Sequence, residues 1–223
     1  RRWWPALLAG FVVACLVLVA TRAGVDQPPD GSTYAGVAGN VADGEGINSP
    51  FVAVIDPFSP RQAVDFEGRV PLLGWPPLYP LVRAGGAVAG MDVTQAARWV
   101  GALSAAVTTA LVTGAVTTLT SRLRSGTSAG VWVVAGFAAA VLVVQPWFAL
   151  VHVVVASEPL YLALSMIALV LGAKALAPQT PRRSGAASRR SEGWLAAAFL
   201  VAALCGGVRF TGVAVTAALG LGT

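Results

Sequence analysis

Mostly apolar residues without charge run from Trp3 to Ala20 and from Trp99 to Leu119, a longer run from Val131 to Ala173 is broken only by Glu158, and a further run opens at Trp194 and is interrupted at Arg209. A membrane-spanning helix needs about 20 such residues to cross a hydrocarbon core of roughly 30 Å. The third run covers 43 positions and would be about 65 Å long as a single helix, so it reads as two spans. The pattern therefore predicts an all-α fold, a polytopic transmembrane helical bundle of about five spans, placed near 3–23, 96–120, 130–151, 159–176 and 194–217. Residues 24–95 form a long outer loop carrying short juxtamembrane helices.

Within that loop, Pro28 and Pro29 end the preceding segment, Asp30 is placed to cap a new helix, and Tyr34, Val37, Ala38 and Val41 recur at helical spacing. A short amphipathic helix follows, closed by a turn at Gly44 and Gly46. A second element, GWPPLYPLVRAGGAVAG at 74–90, suits the membrane interface, with Trp75 and Tyr79 at headgroup level.

Composition agrees with the pattern. The chain of 223 residues is 56% hydrophobic and 11% charged, with a mean hydropathy of +0.73, which places it among membrane proteins. Its net charge of +5 is distributed along the topology. Arg1, Arg2, Arg122, Arg124, Lys174, Arg182, Arg183, Arg189 and Arg190 flank spans on one side, whereas eight of the ten acids lie in the outer loop. That asymmetry puts the amino terminus in the cytoplasm of a multi-pass cell-membrane protein and leaves no role for nucleic acid. An amino-terminal secretory signal is the weaker reading, because the run has span length and Cys15 sits in its middle. Both cysteines, Cys15 and Cys205, fall in spans as apolar fillers. The single histidine, His152, excludes a histidine-cluster metal site.

Two charges interrupt the apolar runs. Ser157, Glu158 and Pro159 are residues favoured at a helix start, which sets Glu158 at the outer mouth of the fourth span. Arg209 lies 15 residues beyond Trp194, about 22 Å along a helix, in the outer half of the bilayer. An unpaired arginine there costs several kcal/mol, roughly, so it calls for a polar cavity and a partner. Glu158 matches it in depth.

The Asp30-x-x-x-Tyr34 stretch after the first span, the PPLYP element at Pro76–Pro80, the SEPLY start of span four and the RFTG run of span five occur in an order that resembles the GT-C integral membrane glycosyltransferases. The similarity is to the branch holding the dolichyl-phosphate-mannose protein mannosyltransferases and the lipid A aminoarabinose transferase, and it covers nearly the whole chain as a single GT-C-like membrane domain, 1–223. Since family enzymes have around ten or more spans, the chain reads as an amino-terminal fragment.

The resemblance implies inverting transfer of a sugar from a polyprenyl-phosphate donor to a glycan, lipid or protein acceptor at the outer face. Asp30 would be the catalytic base, and Glu158 would orient Arg209 or the acceptor. Arg209 would meet the donor phosphate, with Arg83 and Arg98 as alternatives, and Tyr34, Tyr79 and His152 complete the substrate-binding set. No cofactor is specified. A divalent metal is compatible with the chemistry, but several branches place a second acid directly after the loop aspartate, where this chain has Gly31. The alternative is a secondary transporter using Glu158 and Arg209 as intramembrane charges. The long outer loop and the lack of paired broken helices in the sequence speak against it.

Overall fold

The computed structural model describes residues 3–49, 72, 75–123, 128–177 and 186–221. These residues are helical throughout, apart from turns, short extended segments and one isolated parallel bridge between Asp26 and Val154. The helices are α1 (Trp4–Ala20), α2 (Pro29–Ala42), α3 (Leu78–Val88), α4 (Val93–Leu123), α5 (Ser128–Val144), α6 (Pro146–Val153), α7 (Glu158–Ala175), α8 (Ala186–Val208) and α9 (Val213–Leu221).

Among the described residues, three segments are long and apolar enough to cross a membrane: Val93–Ser121 of α4, Glu158–Ala175 of α7 and Ser191–Val208 of α8. The segment expected as one span over 130–151 is instead two helices, α5 and α6, bent by 70° at the break. Pro146 explains the position. It cannot donate a backbone hydrogen bond and disfavours helical geometry in the residue before it, so Gln145 is extended and α6 restarts with the proline in its first turn. The segment expected over 194–217 is also broken. Arg209 is extended, Phe210–Gly212 forms a 3-10 turn, and α9 restarts at Val213. The first expected span, 3–23, is the shorter helix α1 of 17 residues, which ends in a turn at Thr21.

Packing follows the rule for helices in lipid, with small side chains inside and large apolar ones outside. One core joins Val13 and Val17 of α1 to Ala102 and Ala105 of α4. Another joins Ala168 of α7, Ala198 and Ala202 of α8, and Leu219 of α9. Phe11, Val133, Phe137, Val144 and Trp147 point outward. At Gly10 the helices α1 and α4 approach so closely that a Cβ would lie 2.5 Å from the Ala106 carbonyl oxygen.

A third core forms a cap over one end of the bundle. Tyr34 of α2, Tyr79 of α3, Ala97 of α4 and Val155 of the α6–α7 connection pack together. Tyr79 is only 1% exposed and meets Tyr34 edge-on at 5.1 Å. The ring expected at the membrane interface is thus turned into the protein's own cap, whereas Trp75 stays exposed. The segment between α1 and α2 is strapped to the α6–α7 connection by the Val155 N–H donating to the Asp26 carbonyl, at 2.9 Å. Of the apolar face expected for α2, Tyr34, Val37 and Ala38 are buried and Val41 is partly buried. Its closing turn holds Gly44 and Gly46 at φ of 82° and 86°, backbone that other residues seldom adopt. The residues expected in the outer loop from 50 to 71 lie outside the described residues.

Candidate functional site

Three ends meet under the cap: the start of α2, the start of α7 and the break after α8. Between them lies a cavity of about 390 Å³ whose lining includes Asp30, Tyr34, Trp75, Ser157, Glu158 and Arg209. The rest of its wall is largely apolar, from Leu150, Val151 and Val154 of α6 to Val208 and Phe210.

Asp30 lies in the first turn of α2, with Pro28 at the cap position and Pro29 following it. It therefore does not cap the helix through its side chain, as the sequence had implied. Its carboxylate benefits from the free N–H groups and dipole of that turn. It is exposed, lines the cavity, and has no hydrogen-bond or ion-pair partner among the described residues. One turn along, Tyr34 shares its face and points inward. Its ring sits edge-on to Trp75 at 5.7 Å, and Ser157 lines the same cavity. Burial raises the Tyr34 pKa above the usual tyrosine value, opposed by the Ser157 side chain and by Arg209. The phenol thus stays neutral at physiological pH.

Gly31, the departure from an acid pair, has a steric basis. A Cβ there would lie 2.5 Å from the Val155 carbonyl oxygen and 3.1 Å from the Val155 Cβ. The start of α2 rests on the α6–α7 connection at this point, and no acidic side chain fits.

Glu158 opens α7 and pairs with Arg209, whose Nη1 donates to Glu158 Oε1. Both side chains are part-exposed, at 40% and 37%. Ser157 occupies the cap position but makes no side-chain cap bond, which corrects the expected capping role. Arg209 reaches the cavity because the helix ends before it. The Arg209 N–H still donates to the Cys205 carbonyl at 2.9 Å, and the Arg209 carbonyl accepts from the Gly212 N–H at 2.9 Å. Gly212 is required for the fold-back, since a Cβ there would lie 2.2 Å from the Cys205 carbonyl carbon and 2.3 Å from the Gly206 nitrogen.

The remaining expected residues lie elsewhere. Arg83 is 0% exposed and spends its donors on backbone, with Nη1 bonded to the Gly31 carbonyl at 3.3 Å and Nε and Nη2 to the Val93 carbonyl at 3.3 and 3.2 Å. It also lies 5.7 Å from the Tyr79 ring centre, and burial lowers its pKa. It ties α2, α3 and α4 together and does not line the cavity. Tyr79 lies behind Tyr34, and burial pushes its pKa up to about 12. Arg98 ties α4 to the end of α1, with Nη2 donating to the Leu18 carbonyl at 3.1 Å and Nε to Thr21 Oγ1 at 3.3 Å. His152 is buried on α6, its Nδ1 bonded to the Phe148 carbonyl at 2.7 Å, beside a separate apolar hollow of about 120 Å³.

The cavity thus unites Asp30, Tyr34, Glu158 and Arg209, and excludes Tyr79, Arg83, Arg98 and His152 from its lining. Sequence reasoning missed Ser157 and Trp75 as parts of its wall. Among the described residues no group of three or more His, Cys, Asp or Glu side chains is arranged to hold a metal. Chemically, the site offers an unengaged carboxylate, a neutral phenol, a guanidinium held by a second carboxylate, and an apolar wall. No protein-family model, curated protein or solved structure matches the chain.

Proposed function

We propose that the chain belongs to a GT-C-type membrane glycosyltransferase that moves a sugar from a polyprenyl-phosphate donor to an acceptor hydroxyl at the outer face. The observation that carries this reading is the convergence of Asp30, Glu158 and Arg209 on one cavity at a single end of the bundle. The sequence places the arginine-rich helix flanks at the other end, so the positive-inside rule makes the cavity outward-facing. In this reading α1 and the α5–α6 pair each count as one span, giving five with α4, α7 and α8, and the amino terminus is cytoplasmic.

Asp30 takes the proton of the acceptor hydroxyl as the oxygen attacks the anomeric carbon. The bond from that carbon to the phosphate oxygen breaks on the opposite face, and the lipid phosphate leaves with the electron pair. Arg209 stabilises the charge that develops on the leaving oxygen, with guanidinium geometry suited to phosphate. Glu158 orients Arg209. The apolar wall from α6 and Phe210 gives the first isoprene units a surface.

A secondary transporter gains one observation from the structure, the breaks at Gln145 and Arg209, since transporter sites often use discontinuous helices. Such sites lie near the bilayer midplane, however, whereas this cavity is roofed by the cap at a bundle end. Asp30→Asn in the full-length protein is expected to reduce sugar transfer at least 100-fold while the protein still reaches the membrane. Undiminished transfer in that variant, or substrate flux through proteoliposomes without any transfer, would overturn the reading.

A further inference from the structure

The charge balance of the cavity has a bearing on how substrate is told from product. Its charged lining residues are two carboxylates, Asp30 and Glu158, against one guanidinium, Arg209, leaving one net negative charge. From the other walls come only neutral groups: Tyr34 of α2, Ser157 before α7, Trp75 and Pro76, and the aliphatic side chains of α6. Arg209 does not wait unpaired for a phosphate, because Glu158 already accepts its Nη1 hydrogen bond.

On the transferase reading, on which this inference rests, donor and product carry different charges. A sugar-bearing polyprenyl phosphate is a phosphodiester with one negative charge. Transfer cleaves the bond between its anomeric carbon and a phosphate oxygen, and the departing monoester carries about −1.5 to −2 at pH 7, its second pKa being near 6. A cavity with a net negative charge tolerates the first and opposes the second. A guanidinium alone would do the reverse and hold the product more tightly than the donor.

We propose that Glu158 is a specificity-determining residue: by competing for Arg209 it makes the cavity select the monoanionic phosphodiester over the more negative monoester, and so promotes product release. Asp30 adds to the same field, but its proton-transfer role prevents it from being varied cleanly. Glu158 can be neutralised without changing shape.

The test compares two probes with identical tails, farnesyl phosphate and farnesyl methyl phosphate, binding to the full-length protein in nanodiscs at pH 8. The wild type is expected to bind the diester more tightly, by about tenfold, the scale of one extra charge a few ångströms away in a partly solvated site. Glu158→Gln should bring the two affinities to within about threefold, mainly by tightening the monoester, and Glu158→Asp, which keeps the charge, should retain the preference. At pH 5, where the monoester itself becomes monoanionic, the wild-type preference should close. Equal or tighter binding of the monoester by the wild type at pH 8, or an unchanged ratio in Glu158→Gln, overturns the inference while leaving the lipid-phosphate site standing. Failure of both probes to bind overturns the transferase reading beneath it as well.

Discussion

At the scale of single residues, the site depends on two glycines and one arginine that take no part in its chemistry. Gly31→Ala places a methyl group 2.5 Å from the Val155 carbonyl oxygen, a backbone atom that cannot swing aside. The variant is expected to lose about 1–3 kcal/mol, the usual cost of overpacking, seen as a lower thermal unfolding midpoint in detergent. Arg83→Met leaves the Gly31 and Val93 carbonyls without their charged donor. Its expected cost is about 1.5–3 kcal/mol by the same measurement. Tyr79 supplies a pH signature. Its folded pKa is raised to about 12 from an ordinary 10.0 by burial, so the folded state holds the phenolic proton more strongly than the unfolded state does. The resulting stability is present below pH 10 and is lost as pH rises toward 12. Tyrosinate absorbance should show that the last tyrosine to ionise, near pH 12, disappears in Tyr79→Phe, while the raised Tyr34 remains; persistence of the step near 12 would refute the assignment.

At the scale of helices, the break after α8 shapes the candidate site. Gly212 permits the 3-10 turn to fold against the end of α8, which leaves Arg209 extended and facing Glu158. Gly212→Ala is expected to cost about 1–3 kcal/mol and, by displacing the guanidinium, to lower transfer at least tenfold. Gly206→Ala, where a Cβ meets nothing within 4 Å, should change neither quantity. The helix breaks also mark the limit of what the sequence made legible. Run lengths located α1, α4, α7 and the apolar part of α8, though not its start at Ala186, because burial in lipid needs only sustained hydrophobicity. Spacing placed Asp30 and Tyr34 on one face of α2, and the depth of Arg209 pointed to Glu158. Hydropathy has no term for backbone direction, so it read 130–151 and 194–217 as straight spans, although Pro146 and the RFTG run were visible in the sequence. Arg83, Arg98 and His152 resembled site residues because polar side chains near a membrane surface attract functional readings. The structure gives them backbone carbonyls instead, and residue type alone does not reveal which need a buried donor will meet.

At the scale of the whole molecule, the account requires opposite sides for the two ends of the bundle. Asp43, exposed after α2, and Ala177, exposed after α7, are suitable reporters. In a background lacking Cys15 and Cys205, Asp43→Cys in intact cells should react with a membrane-impermeant maleimide, and Ala177→Cys should react only after permeabilisation. Labelling of both from outside would invert or abolish the topology on which an outward cavity depends. The same architecture explains why an amphipathic cap is built over a bundle of small-residue interfaces. Tyr34, Tyr79, Ala97 and Val155 hold the start of α2 on the α6–α7 connection, so three groups distant in sequence line one cavity. The most direct test of that arrangement is sugar transfer by the full-length protein reconstituted with a labelled polyprenyl-phosphate sugar, measured for the wild type and for Arg209→Gln at equal folded protein. Transfer by the wild type that falls at least 100-fold in Arg209→Gln is the predicted result; equal transfer by both, or none by the wild type, would contradict it.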